Sequence, residues 1–398
     1  MRIVKGLELN GKKLEKLLMR QMCTTTSTIS KMVNPRASSI VVNSKTQTQF
    51  VAPNLWHFSD SLQAYLWGKD YVRISNSIGN GKFKLLRRDA VDEILDHYRQ
   101  VSGSSTSDGS DTSPSRHVSP RYILYSKECY TGKRMCLVTL LDHYLTQDDF
   151  IILYINWIPE ILVVHGKVVK VTDDVIDLPE RSAKILTHFS ELNKKFIESS
   201  TTIRDFEWNG VRVVEKGESL KLLVERSLEN PTSCQKCIEE LIYTAMYLSN
   251  LENSKYKFAV FICGLNYIFN DKDIRIGRTE RFSIQSVSII KMIKSLFTTF
   301  WNGFVVATVD QDAEESMRGE HYSNCRQILG EYAFQFLDPI IPIEVKRLTE
   351  CEFKNLYDHY VAINWIATKR ARSKEGYEQL KLISGMNVGE FEKYCKSL

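Results

Sequence analysis

The sequence predicts an α/β protein in which a parallel sheet is flanked by helices and followed by a C-terminal helical region. Short runs of β-branched and aromatic residues are bounded by polar segments, as expected for strands that are covered on both faces. Longer segments with apolar residues at helical spacing separate these runs, and this alternation favours parallel pairing. The strand-like runs are 122–125, 150–155, 258–263, 304–309 and 340–345, and the main helical patterns are 179–199, 216–249 and 284–300.

The remaining elements follow from local patterns. Residues 85–98 and 135–144, on either side of the first strand, have apolar residues at helical spacing. The segment 208–211 contains the Asn-Gly pair that closes a tight β-hairpin. From Phe353 to Tyr394 the patterns are helical, so we expect the chain to end in helices.

Polar segments predict loops and suggest domain boundaries. Residues 24–50 are rich in Ser, Thr and Asn, and residues 271–282 are charged and without periodicity. Residues 102–120 contain eight Ser and almost no apolar residue, which predicts a flexible surface insertion. The expected divisions are a transit peptide at 1–36, an α/β domain over 50–345 that carries the insertion 102–120, and a C-terminal helical region over 346–398.

The composition excludes several classes of protein. Of the 398 residues, 43% are hydrophobic and 25% are charged, which argues against wholesale disorder, and the 19 Gly and 9 Pro are too few for a collagen-like repeat. No run of 18 or more apolar residues is present, so we expect no membrane span. The nine cysteines are scattered, which indicates a reducing compartment instead of a disulfide framework. The one close pair, Cys234 and Cys237, lies in a helical pattern without a second ligand pair at zinc spacing.

The net charge of +5 is concentrated at the start of the chain. Residues 1–36 hold eight of the 53 basic residues but only two of the 48 acidic ones, and a hydroxyl-rich stretch follows a short amphipathic pattern. This composition is typical of a mitochondrial transit peptide, and a basic arm on a cytosolic or nuclear protein is the alternative. The rest of the chain is close to neutral, so it is poorly suited to coating RNA through phosphate neutralisation.

One loop resembles a phosphate-binding loop. Ser126-Lys127-Glu128-Cys129-Tyr130-Thr131-Gly132-Lys133-Arg134 follows a predicted strand and precedes a predicted helix. In the motif G-x-x-x-x-G-K-[ST], glycines let backbone N–H groups surround the phosphates, the lysine reaches the β- and γ-oxygens, and the hydroxyl binds Mg²⁺. Gly132 and Lys133 match the motif, whereas Lys127 stands at the first glycine and Arg134 at the hydroxyl residue.

A second position also departs from a nucleotide hydrolase. The run that ends at Cys263 corresponds to the strand whose terminal Asp supports Mg²⁺ in P-loop proteins. Because both oxygen donors for the metal are missing, we expect no hydrolysis and no enzymatic activity. Nucleotide binding without a metal stays open.

Several segments along the chain together form a family pattern. They are Tyr122–Tyr125, Thr131–Lys133, Gln147–Leu153, Cys263–Asn266, Leu337–Ile343, Tyr360 to Trp365, and the tail from Lys374 to Cys395. These segments resemble the death-associated protein 3 family, P-loop proteins of the mitochondrial small ribosomal subunit. The resemblance extends from about residue 50 to the C-terminus, and the Leu-Asp-Pro-Ile-Ile-Pro-Ile string is its most specific part.

The resemblance implies a structural protein of the small-subunit head in the mitochondrial matrix, with an AAA-like P-loop core. The implied partners are other small-subunit proteins, local ribosomal RNA, and the large subunit through inter-subunit bridges. It also implies GTP, GDP or ATP held as a structural element, with no nucleotide as the alternative in this altered loop. The implied nucleotide-binding positions are Lys127, Tyr130, Thr131, Gly132, Lys133, Arg134, Cys263 and Asn266.

Two other functions stay open at this stage. Gly132 and Lys133 are compatible with a nucleotide-switch GTPase or ATPase, and the family name suggests an apoptosis-related adaptor.

Two charged clusters complete the prediction. The acidic segment after the 304–309 run (Asp310, Asp312, Glu314, Glu315) predicts a solvated loop, and the basic cluster Lys369–Lys374 predicts a solvated helix end or a contact with RNA phosphates.

Overall fold

The computed structural model describes residues 55–57, 84–104, 119–163, 167–270, 273–276, 280–313 and 322–395. The predicted transit peptide, the predicted loop at 24–50 and residues 105–118 of the predicted insertion lie outside these ranges. The chain forms two compact units. Of the described residues, the sheet unit contains 88–104, 119–129, 133–163, 167–270, 273–276, 280–313 and 322–346, and the C-terminal unit contains 55–57, 84–87, 130–132 and 347–395.

The secondary structure alternates between strands and helices through the sheet unit. The described strands are β1 (Leu55–His57), β2 (Lys84–Leu86), β3 (Arg121–Tyr125), β4 (Phe150–Ile155), β5 (Val169–Thr172), β6 (Val175–Asp177), β7 (Phe206–Trp208), β8 (Val211–Val214), β9 (Lys257–Ile262), β10 (Asp273–Ile276), β11 (Glu280–Ser283), β12 (Gly303–Thr308) and β13 (Ile341–Glu344). The described helices are α1 (Asp89–Ser104), α2 (Lys133–Leu145), α3 (Ile158–Ile161), α4 (Pro179–Leu192), α5 (Lys194–Ser199), α6 (Leu220–Glu229), α7 (Cys234–Ser249), α8 (Ser288–Leu296), α9 (Cys325–Leu329), α10 (Glu331–Leu337), α11 (Glu350–Ala362), α12 (Lys374–Ser384) and α13 (Val388–Cys395).

The sheet unit is built on a parallel sheet with the strand order β13-β3-β12-β9-β4. All four neighbouring pairs in this sheet are parallel. Parallel neighbours need crossover connections, and helices supply these between successive strands along the chain. β12 is buried along its whole length, because helices cover both faces of a parallel sheet. The predicted parallel α/β sheet with flanking helices is therefore confirmed.

The Asn-Gly hairpin is also where the sequence predicts it. β7 and β8 pair in antiparallel fashion with Trp208 opposite Val211. Asn209 and Gly210 have φ values of +52° and +75°. A two-residue hairpin turn of the type that matches strand twist needs positive φ at both central positions, and Asn and Gly accept this geometry most readily.

The prediction of a loop over residues 271–282 is wrong. β10 and β11 form an antiparallel hairpin there, with Ile274 opposite Phe282. Ile274 is buried and Phe282 is half-buried, so each strand has an apolar side chain packed against the core. Each strand has only four residues, with two apolar residues in β10 and one in β11, so the alternation is too short to recognise among charged residues in the sequence.

From Glu350 to Cys395 the C-terminal unit is helical, as the sequence predicts, and the unit also contains the short antiparallel pair β1–β2. α11 begins with a capping box, in which the Thr349 hydroxyl accepts the backbone N–H of Glu352 and the Glu352 carboxylate accepts the backbone N–H of Thr349. Phe353 of α11 and Phe391 of α13 are fully buried, with ring centroids 4.7 Å apart. The three helices thus share one hydrophobic core. In the described part of the chain, no helix has the length and apolar content to cross a membrane.

Candidate functional site

The candidate site lies at the carboxyl end of β3, a strand inside the parallel sheet. After β3 the chain continues through α2, which begins at Lys133, to β4 at one edge of the sheet. On its other side β3 pairs with β13. Ligands of open α/β sheets commonly bind outside the carboxyl ends of the strands at such a reversal in strand order. The carboxyl ends of β12 and β9 meet the same edge, and this brings distant segments to the loop.

Lys133 is the buried cation of the site. Its side chain is 5% exposed, and its ammonium lies 3.0 Å from Oδ1 of Asp310 and donates to Oγ of Ser126 at 2.7 Å. Asp310 lies two residues after the end of β12, and its side chain is 18% exposed. The prediction that Asp310 belongs to a solvated acidic loop is therefore wrong, because the strand delivers its carboxylate to a buried lysine. Glu314 and Glu315 of that predicted loop lie outside the described residues.

Asp310 is held in place by its neighbours. The Thr308 hydroxyl donates to Oδ2 of Asp310 at 2.5 Å. The Asn266 amide donates to the carbonyl oxygen of Asp310 at 3.0 Å and accepts its backbone N–H at 2.9 Å. Asn266 is 3% exposed, so these bonds form away from solvent. Asn266, a predicted site residue, thus positions the aspartate and does not itself contact Lys133 through any of these bonds.

The first part of the loop is also held by protein groups. Lys127, at the position of the first glycine, pairs with Glu344 of β13 at 3.5 Å. Its carbonyl oxygen accepts the side-chain N–H of Gln311 at 3.2 Å. The Ser126 hydroxyl donates to the carbonyl oxygen of Glu128 at 2.5 Å. Both lysines of the loop therefore have a carboxylate partner.

Tyr130, Thr131 and Gly132 belong to the C-terminal unit. Tyr130 has a φ of +62°, which is uncommon for a residue with a side chain, and it is 56% exposed. Its carbonyl oxygen accepts the backbone N–H of Gly389 in α13 at 2.9 Å. An added Cβ at Gly389 would lie 2.5 Å from Cβ of Tyr130, so the two segments are in close contact. Tyr130 is thus anchored by a helix of its own unit.

The side chains of Arg134 and Cys263 contain no oxygen atom that could bind a metal ion. The Arg134 guanidinium donates to Oδ1 of Asn156 at 2.5 Å, and the Tyr154 hydroxyl donates to the same oxygen at 2.8 Å. Cys263 follows β9 and is fully buried. Burial raises the pKa of its thiol to about 12, so the group is neutral. An uncharged thiol therefore stands where a P-loop hydrolase carries a carboxylate.

Comparison with known proteins identifies the family. The family model described as mitochondrial ribosomal death-associated protein 3 matches residues 110–394, which is more than half of the chain. The chain belongs to this family. The small ribosomal subunit protein mS29 of Bos taurus is 23% identical over 291 residues, covering 71% of this chain and 70% of that protein. The mS29 protein of Mus musculus is 22% identical over 290 residues, covering 71% of this chain and 72% of that protein.

The site of this death-associated protein 3 family member does not fit a magnesium-bound nucleotide. The hydroxyl expected after the lysine is replaced by Arg134, and the strand-end carboxylate is replaced by neutral Cys263. The ammonium that would contact the phosphates already pairs with Asp310. A metal-free nucleotide at the eight positions implied by the family stays a prediction.

Four residues of this site were not predicted as site residues from the sequence. Thr308 ends β12, the strand next to β3, Asp310 and Gln311 lie two and three residues after it, and Asn156 follows β4. Each lies at or just after the end of a buried strand. Because carboxyl ends of parallel strands share one edge, polar residues at those ends are the signal that could have found them.

Two other predicted features have plain positions in the structure. Cys234 and Cys237 lie in the first turn of α7 and are fully buried, which confirms that they are helix positions. In the basic cluster, Arg372 donates to the carbonyl oxygen of Ile366 and to the Asn364 side chain. The cluster precedes α12, so the predicted helix end is a helix start. Within the described ranges, no three His, Cys, Asp or Glu side chains gather as a metal site.

Proposed function

We propose that this protein is a structural component of the mitochondrial small ribosomal subunit and supports mitochondrial translation. The observation that carries the proposal is the family match over residues 110–394. The mammalian relatives, similar over about 70% of their own length, are named as proteins of that subunit. The protein then works in the mitochondrial matrix, and residues 1–36 supply the import signal.

The charge distribution supports attachment through proteins more than through RNA. Beyond residue 36 the chain has 45 basic and 46 acidic residues, so its charge does not favour broad contact with RNA phosphates. The exposed basic residues between Lys369 and Lys374 are a local candidate for an RNA contact. Other small-subunit proteins supply the main contacts in this proposal, and the large subunit is reached through inter-subunit bridges.

In this proposal the protein has no enzymatic activity. Phosphoryl transfer needs a metal ion or equivalent charge on the phosphates, and Arg134 and Cys263 offer no metal ligand of the usual kind. A nucleotide-switch GTPase or ATPase is therefore disfavoured. No described residue favours an adaptor role in apoptosis.

Sedimentation of the protein from its own mitochondria tests the ribosomal role. A mitochondrial lysate is run on a sucrose gradient, and the protein is followed alongside small-subunit ribosomal RNA. We expect the two to sediment together, and we expect the protein to stay with the small subunit when low Mg²⁺ separates the subunits. Protein confined to the light fractions, away from that RNA, would refute the proposal.

A second experiment tests the absence of turnover. Purified full-length protein is incubated with GTP or ATP and Mg²⁺, and released phosphate is compared with that from the Lys133→Ala variant. We expect both proteins to remain at background. Phosphate release that depends on Lys133 would instead support the nucleotide-switch hypothesis.

A further inference from the structure

We propose that the carboxylate of Asp310 occupies, on Lys133, the place that a nucleotide phosphate takes in an ordinary P-loop. The loop then keeps its shape through an internal ion pair, and any phosphate ligand has to displace a carboxylate of the protein itself. This inference deepens the part of the proposed function that assigns the loop no turnover. It does not depend on assembly into a ribosome.

The first step of the argument concerns the bonding capacity of Lys133. An ammonium has three N–H donors, and two are used by Asp310 at 3.0 Å and Ser126 at 2.7 Å. At 5% exposure the lysine needs a counter-ion, since an unpaired buried charge is strongly unfavourable. In a nucleotide-binding loop the phosphates supply that counter-charge. Here Asp310 supplies it.

The second step concerns the rigidity of Asp310. Thr308 fixes one carboxylate oxygen, and Asn266 fixes the backbone N–H and carbonyl groups of Asp310. Asp310 also lies two residues after β12, a strand that is hydrogen-bonded on both sides, and the intervening Val309 donates its backbone N–H to the carbonyl oxygen of Leu124 in β3. A carboxylate held in this way acts at a high effective concentration, so a dissolved phosphate competes with it at a disadvantage.

The third step concerns repulsion. A phosphate placed beside Lys133 would meet the negative charge of Asp310 in a site with little access to water. In hydrolases a magnesium ion offsets such repulsion, but Cys263 is neutral and Arg134 bears no oxygen ligand. Lys127 is already paired with Glu344. Asp310 therefore acts as the residue that sets the affinity of the loop for phosphates.

The test measures phosphate binding by the purified full-length chain. GTP, ATP and inorganic pyrophosphate are titrated calorimetrically into the wild type, Asp310→Asn and Asp148→Asn. The Asp148 variant is the matched control, because it removes a carboxylate from an exposed pair with Lys195. We expect Asp310→Asn to bind at least one of these probes about tenfold more tightly than the wild type. The control should bind as the wild type does.

The outcomes separate the inference from its alternatives. The inference would be overturned if Asp310→Asn bound every probe no more tightly than the wild type does. It would also be overturned if the control Asp148→Asn gained as much affinity as Asp310→Asn. If Asp310→Asn is unfolded in buffer, millimolar pyrophosphate should restore its circular dichroism, because the anion replaces the lost counter-charge. A variant that stays unfolded with pyrophosphate would also overturn the inference. Co-sedimentation with the small subunit would be unaffected by these results, so failure of the ribosomal role is a distinct outcome.

Discussion

Removing either charge of the buried Lys133–Asp310 ion pair should lower the unfolding free energy of the sheet unit, and the distance and burial of the pair set the expected size of this loss. At 3.0 Å, opposite unit charges attract by about 5 kcal/mol in an effective dielectric constant of about 20. Lys133→Met leaves Asp310 without its counter-ion, and Asp310→Asn leaves Lys133 without one. With side chains only 5% and 18% exposed, we expect each single variant to lose about 3 kcal/mol of unfolding free energy.

The double variant decides whether the two losses have one cause. Replacing both charged groups removes the unpaired charge, so its loss should fall short of the sum of the single losses by about 2 kcal/mol. Urea denaturation followed by circular dichroism gives the three free energies relative to the wild type. The pair Lys195–Asp148 is the control. It is shorter, at 2.6 Å, but its side chains are 81% and 76% exposed, so its coupling should stay below about 1 kcal/mol. Equal coupling in both pairs would refute the reasoning, because burial would then have no effect.

Three further predictions concern the sheet, the cysteines and pH. Gly303→Ala should cost about 4 kcal/mol or more, because the new Cβ would lie 1.8 Å from a carbonyl oxygen of the neighbouring strand. Gly210→Ala, also at positive φ but with no atom within 4 Å of the new Cβ, should cost about 1 kcal/mol, and similar urea midpoints for the two variants would contradict the clash. In native protein, N-ethylmaleimide should label the exposed Cys351 but not Cys263, because burial shields the Cys263 thiol and raises its pKa to about 12. A label on Cys263, detected by peptide mass spectrometry, would contradict its burial. Burial and the nearby Lys184 lower the pKa of His188 from 6.5 to about 4. Between these pH values the unfolded chain binds a proton that the folded chain does not, so the unfolding free energy should fall as the pH drops from 6.5 towards 4. His188→Asn should flatten this dependence in urea midpoints, and an unchanged slope would count against the assignment.

The strands of the sheet were predictable because their residue types record burial on both faces. Runs such as 257–262 and 303–308 have almost no polar residue, and a buried parallel strand needs none for solubility. The hairpin at Asn209-Gly210 was predictable for a local reason, since two adjacent residues with positive φ nearly specify the turn. The hairpin at 273–283 was not predictable, because each strand has only four residues and its few apolar residues alternate with charged ones over too short a distance.

The candidate site was predictable only in part. The Gly-Lys pair before a helical pattern indicated the loop, since the motif is continuous in sequence. The partner of Lys133 was assigned to solvent, because Asp310 belongs to a segment of four acidic residues that resembles an exposed loop. The pairing of two strands that are distant in sequence creates this contact, and no local pattern records which strands are neighbours.

The amino-acid sequence by itself determined the fold class, the helical C-terminus and the position of the loop, because each depends on residue periodicity or on a short motif. It also carries the family resemblance that the family model confirms. Only the tertiary structure decided the strand order, and with it the residues that meet at the carboxyl edge of the sheet. The physical reason is that pairing β3 with β12 brings a lysine and an aspartate from distant segments to 3.0 Å, where burial makes each the counter-ion of the other.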